Sequence, residues 1–171
     1  MTVNTIKSRL RRSALDAQTF RQIAGCFATG VAIATTRAKD GTPHGLTVNS
    51  FTSLSLDPLL VLVNIDKQAG VYDAFMQSDT YAINILQQGQ KALSRQFATS
   101  GIDRFAGVNY RSGQLGAPIL DGCLAFFDCK IVNRLDGGDH TIFIGEVLDG
   151  AAADDGLPLL YYRGQYRQLA P

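Results

Sequence analysis

Between two strongly apolar stretches the chain carries Thr47-Val-Asn49-Ser50-Phe-Thr52-Ser53-Leu-Ser55, six uncharged hydrogen-bonding side chains within nine residues. In an extended chain Thr47, Asn49, Ser53 and Ser55 face one way, so hydroxyls, an amide and main chain could together bind a planar heteroaromatic ligand with a polyol tail. An edge strand facing water would have the same composition. A second polar segment, Asp136-Gly-Gly138-Asp139-His140, joins a glycine turn to an imidazole at the start of the next strand. Imidazole titrates near neutral pH and both donates and accepts. At a pocket rim His140 could therefore position a cofactor amide or phosphate, or assist proton movement; the plainer alternative is a polar turn. Lys67, Arg95 and Arg104 are the cations that could complement phosphate oxygens, or singly serve as solvated surface charge.

Other chemistries lack their residues. No Gly-x-Gly-x-x-Gly opens a helix after a strand and no Gly-Lys-Ser/Thr loop occurs, so a nucleotide phosphate has no familiar cradle. Gly-x-Ser-x-Gly is missing, and a Cys nucleophile paired with His140 rests on no local motif. Asp139 and the Asp154-Asp155 pair fit turns, which argues against a glycosidase couple. With His44 and His140 alone and no Cys-x-x-Cys, no metal site is expected. Cys26, Cys123 and Cys129 are an odd set for a disulfide framework. The last two read as lying on one strand, six residues and roughly 20 Å apart, beyond disulfide reach.

The elements that must position these residues come from 171 residues, 46% hydrophobic and 18% charged, enough for one core and one domain. A formal charge of +1, with basic residues scattered apart from Lys7, Arg9, Arg11 and Arg12, argues against a nucleic-acid groove. No run approaches the roughly 20 apolar residues of a membrane helix, and no apolar segment follows the basic start as in a secretory signal. A cytoplasmic protein is expected.

Residues 1–15 are polar and aperiodic and read as a flexible arm, leaving 16–171 as the domain. Asp16 can cap a helix whose Phe20, Ile23 and Phe27 recur at helical spacing, a face expected in the core. From Gly30 the period changes to strands: Val31–Thr36 and His44–Asn49 around an Asp40-Gly41 turn, then Leu59–Ile65 after an Asp57-Pro58 break. A short helix over 69–77, a strand over 80–86 and a third helix over 90–98 follow. A long loop spans 99–118, and two long strands, 123–135 and 140–148, meet at Gly137-Gly138. A further hairpin is expected at Asp154-Asp155-Gly156, before Pro158–Tyr162. The total is about seven strands and three short helices. Most connections are too short for parallel crossovers, so the strands should close as an antiparallel barrel, mainly β, with helices over its ends.

Several segments, in order and spacing, resemble the short-chain flavin reductases that form the small component of two-component flavin monooxygenases. They are Thr29-Gly30-Val31, Thr47 through Pro58, Phe97-Ala98, Asp103-Arg104-Phe105-Ala-Gly107, Gly138-Asp139-His140 and Pro158 through Gly164, covering roughly residues 18–168. The resemblance implies a flavin-binding split β-barrel of the α+β class, a homodimer, that passes hydride from NADH to FAD or FMN. Reduced flavin would then go to a separate monooxygenase acting on an aromatic substrate. It places Thr47, Val48, Asn49 and Ser50 on the isoalloxazine and ribityl. Ser53, Lys67, Ala69 and Arg104 fall near the flavin phosphate, and Gly138, Asp139 and His140 beside the nicotinamide nucleotide. Ala69 stands where relatives often carry a hydroxyl, and Arg104 where they carry lysine, which keeps the charge but changes the donor geometry.

Hydride transfer requires the nicotinamide about 3–3.5 Å from flavin N5 and no side-chain nucleophile, so no acid/base residue is assigned. NADH is favoured over NADPH because no basic cluster awaits a 2′-phosphate, though Arg163 or Arg167 could supply one. A non-catalytic flavin- or haem-binding barrel, a carrier or sensor, is the alternative from another class.

Overall fold

The computed structural model describes residues 15–169, so the expected arm lies, apart from Leu15, outside the described residues. The elements are α1 (Ala17–Ala24), β1 (Thr29–Gly30), β2 (Ala32–Arg37), β3 (Pro43–Val48), β4 (Thr52–Leu56), β5 (Leu59–Asp66), α2 (Tyr72–Gln77) and β6 (Thr80–Ile85). After a 3-10 turn (Gln88–Gln90) come α3 (Lys91–Ala98), β7 (Tyr110–Ser112), β8 (Pro118–Leu120), β9 (Ala125–Gly137), β10 (His140–Ala152), β11 (Leu160–Tyr162) and β12 (Gln165–Arg167).

Seven strands form one sheet in the order β3-β2-β6-β9-β10-β5-β4, every pair antiparallel. Local chemistry fixes its registers. Gly41, at φ +89°, turns β2 into β3 so that Ala32 opposes Val48. Gly138, at φ +79°, turns β9 into β10 so that Gly137 opposes His140. Inward side chains of β2, β3, β5, β6, β9 and β10 meet in one cluster that includes Ala34, Val48, Val63, Tyr81, Cys129 and Phe143. The sheet therefore curls around its own core. Its end strands β3 and β4 do not pair. This is a split barrel, and the seam runs where β3 faces β5.

Phe75 of α2 plugs one end, edge-on to Phe143 with ring centres 5.9 Å apart. Burying such a ring contributes about 1.5–3 kcal/mol. Outside the wall Val31, Ile33, Leu86, Phe97, Leu120 and Leu159 form a second core. Asn84, fully buried, stitches the layers: its Nδ2 donates to Ile33 O (3.2 Å) and Thr35 Oγ1 (3.1 Å), and its Oδ1 accepts from Leu120 N (2.8 Å).

Several sequence expectations need correction. Asp16 does cap α1, accepting from Thr19 N at 2.7 Å. Phe20, Ile23 and Phe27, however, are 63%, 59% and 78% exposed and not in this chain's core. Helical spacing shows that a face is apolar; it does not say what covers it. No hairpin forms at 154–156, because β11 pairs with β1 and β12 instead of β10. Residues 99–118 are not wholly loop, since β7 lies within them and β8 begins at their end. Cys123 precedes β9, so it does not share a strand with Cys129.

Candidate functional site

The polar ribbon is not one strand. Val48 points into the core, only 7% exposed, and ends β3; the chain then turns through Asn49-Ser50-Phe51 and starts β4 at Thr52. A register shift between Ser53 and Ser55 breaks the alternation again. Thr47, Asn49, Ser53 and Ser55 therefore do not line one face, because the ribbon has to cross between the two ends of the split sheet. Several of its hydroxyls hold the fold. Thr47 Oγ1 donates to Ser94 O of α3 at 2.6 Å, and Ser50 Oγ bonds the Asn64 backbone on β5. Ser55 Oγ accepts from Asp57 N at 3.3 Å. Asn49 and Ser53 remain exposed, with no side-chain hydrogen bond among the described residues.

Asn49 stands between two cavities. One, of about 220 Å³, is lined by Thr29, Val31, Phe51 and Ile85 among others; the second, of about 200 Å³, by Thr47, Ser94, Tyr161 and Tyr166 among others. Thr29 Oγ1 and Asn64 Oδ1 are buried without a hydrogen-bond partner among the described residues. A buried polar atom left unmatched is costly, and Thr29 lines the first of these cavities, where a ligand's polar atom could meet it. Apolar walls, free amide groups and unmatched oxygens suit a flat heteroaromatic ring with a hydroxylated tail. Nothing in the sequence singles out Thr29 or Asn64; Thr29 sits in the Thr29-Gly30-Val31 segment, and only burial distinguishes it.

Lys67 lies on the next turn, and its surroundings differ from a bare phosphate contact. Its Nζ donates to the Asp136 carboxylate and to Gly138 O (2.6 Å), while its amide donates to Asp139 O (3.0 Å). The ammonium has three N–H bonds, so one remains for a ligand. The hydrogen bond to Asp136 raises the Lys67 pKa and lowers that of Asp136. Beside it His140 Nδ1 meets Asp139 Oδ1 at 2.7 Å, a contact that lowers the Asp139 pKa. His140 itself faces Asp66 in the β10–β5 register. The structure thus gathers Lys67 with Gly138, Asp139 and His140 at one turn.

Arg104 is half-buried, donating from Nε to Thr99 O (2.9 Å) and from Nη1 to Gly45 O (2.8 Å) on the open edge of β3; burial lowers its pKa. Its remaining donors are available to an anion. Ala69 packs against the barrel core and bonds Asp66 O through its amide (3.0 Å), so its side chain supplies no phosphate contact. Arg95 lies over the Tyr166 ring, 6.0 Å from its centre. Among the described residues no group of His, Cys, Asp and Glu could hold a metal ion, and Cys26, Cys123 and Cys129 are free thiols.

The family model for the flavin reductase like domain matches residues 24–170. The chain is 39% identical over 159 residues to the reductase subunit HsaB of a flavin-dependent monooxygenase from Mycobacterium tuberculosis, covering 92% of this chain and 84% of that one. It is 42% identical over 157 residues to the reductase component of a 4-nitrophenol 4-monooxygenase/4-nitrocatechol 2-monooxygenase from Rhodococcus opacus, covering 92% and 83%. Its fold superposes on the NADH:FAD oxidoreductase SgcE6 of Streptomyces globisporus C-1027, solved in complex with NAD and FAD fragments. The TM-score is 0.86 at 37% identity, covering 91% of this chain and 94% of that one. With the split barrel and its polar seam in place, the chain belongs to the flavin reductase like family.

Proposed function

We propose that this protein is an NADH-dependent flavin reductase that supplies reduced flavin to a separate flavin-dependent monooxygenase. The observation that carries the reading is the seam itself: Asn49 free between two cavities, Thr29 with its unmatched oxygen in the lining of one, and the Lys67–Gly138–His140 turn at the Asp66 end of β5. When bound, the flavin supplies an electron-accepting ring that takes hydride from reduced nicotinamide. Thr47, Val48, Asn49 and Ser50 form its ring and ribityl wall, with Ser53 beside them; Lys67 and Arg104 face its phosphate end, and Ala69 adds only its place in that turn. Gly138, Asp139 and His140 hold the nicotinamide nucleotide. The chain's work is positional: the Ser50 pin fixes the seam, and Lys67 fixes the turn that carries His140.

Members of the family named as monooxygenase reductase components, and one named NADH-dependent FAD reductase, support partner and cofactors alike. A homodimer is the proposed assembly, with Phe20 and Ile23 of α1 and Phe27 just beyond it as apolar surface for a second copy to cover. Free thiols suit a cytoplasmic location, and no helix among the described residues is long and apolar enough to cross a membrane.

The test is NADH and NADPH consumption, followed by absorbance, with excess FAD or FMN. Flavin-dependent loss of NADH is expected; a protein that binds flavin yet leaves both nucleotides untouched is a carrier.

A further inference from the structure

A cavity of about 650 Å³ lies away from the seam, between α1 and the turn that joins β11 to β12, and shares no lining residue with the two cavities at Asn49. Gln18, Arg21 and Gln22 stand three and four residues apart, so one polar face of α1 forms its floor. Phe20 and Ile23 project from the opposite side of the helix, so the apolar surface assigned to a second copy is a different face.

Arg163 forms the other wall, held there at a conformational cost. Tyr162 pairs with Gln165, so Arg163 and Gly164 are the two central residues of the hairpin turn, with φ of +50° and +76°. Such turns favour asparagine or glycine, and Arg163 is the one described non-glycine residue with positive φ. Its amide donates to Gly25 O at 2.9 Å, which fixes the turn against the end of α1. An arginine kept where glycine would relax the backbone points to work for its side chain.

The two guanidinium groups have no anion to meet. Neither contacts a carboxylate among the described residues, and no acid lines the cavity. Arg163 engages only the Cys26 sulfur, 3.8 Å from Nη2, and the Tyr162 ring, 5.2 Å from centre to guanidinium carbon. Two forks of N–H donors with two amides beside them are what recognition of a carboxylate or phosphate uses. The volume suits a metabolite rather than a bare ion. We propose that this cavity binds a small metabolite through an oxyanion, carboxylate or phosphate monoester, held between Arg21 and Arg163 at a site separate from the flavin seam.

Cys26, an exposed thiol in the cavity, serves as the reporter. Its alkylation by iodoacetate, an anion, and by neutral iodoacetamide is followed by mass spectrometry of the peptide that carries it. The ratio of the two rates cancels any change in the thiol itself. Arg163→Gln and Arg21→Gln should each lower that ratio about fivefold. With ionic strength matched by sodium chloride, inorganic phosphate or succinate should protect Cys26 from both reagents in the parent and in neither variant. Protection by phosphate alone supports a phosphate monoester as the ligand group, and protection by succinate alone a carboxylate. An unchanged ratio in either variant, or protection no greater than chloride gives, would overturn the site. Arg163→Gly removes the side chain while relaxing the turn, so its Tm should equal or exceed that of the parent as its ratio falls. A ratio at the parent's level in that folded variant would equally overturn the proposal. No arm uses flavin or NADH, so the outcome is independent of the reductase reading.

Discussion

Ser50 and Asn64 close the seam by a two-way contact: Ser50 Oγ donates to Asn64 O at 2.9 Å and accepts from Asn64 N at 3.2 Å. These backbone groups lie on the edge of β5 just beyond Leu62, which faces Thr52 in the last β4–β5 pair. One hydroxyl does there what a further strand residue would do. Ser50→Ala leaves both groups unmatched and should lower stability by about 1–3 kcal/mol, read as a fall in Tm, and should weaken flavin binding with it. An unchanged Tm would show that the seam closes without this pin.

Asn49 has no structural bond to lose. Asn49→Ala and Ser53→Ala should therefore raise the flavin Kd, Asn49 about tenfold, while Tm stays near that of the parent. A fluorescence-quenching titration reads the first and thermal unfolding the second; unaltered affinity would take both residues out of the site.

The turn that carries His140 makes a separable prediction. His140→Ala should raise KM for NADH with little change in flavin affinity. Lys67→Met removes the ammonium contacts to Asp136 and Gly138 and should raise that KM also, and it should weaken flavin binding by removing the donor that faces the phosphate. Steady-state kinetics with NADH varied at saturating flavin distinguish them, and identical NADH kinetics in His140→Ala would exclude the imidazole.

Away from the seam, Asp128 is fully buried; its Oδ2 accepts from Leu115 N at 3.0 Å and its Oδ1 has no partner among the described residues. Burial raises its pKa, and Asp149, directly opposite on β10, adds to this against the pull of Arg111. A carboxyl whose folded pKa lies above its unfolded value binds its proton longer in the folded chain. It therefore lowers stability as pH climbs from the ordinary carboxylate value through the raised one. Asp128→Asn should raise Tm at neutral pH, with the gain shrinking as the solution is acidified. A variant less stable than the parent at pH 7 would contradict this.

Much of the fold was legible because its signals are local. The small and β-branched residues of Val31–Thr36, the apolar run Leu59–Ile65 and the glycine turns at Gly41 and Gly138 needed only near neighbours to be read, and the strands and turns formed there. The site was harder because its meaning lies in distant partners. Thr47 meets a carbonyl 47 residues away, and Lys67 one 71 residues away, so neither could be told from a free donor by sequence. The α1 face failed for the same reason. Phe20 and Ile23 show the spacing of a buried stripe, yet what would bury them is not written in the helix.

Hydride transfer from NADH to flavin is read under anaerobic conditions by mixing the protein with one equivalent of NADH and excess FAD and recording both chromophores. Each NADH oxidised should bleach one flavin, at a rate that saturates with NADH and drops in His140→Ala. Flavin that binds, by fluorescence quenching, while NADH absorbance and flavin colour stay constant would contradict it.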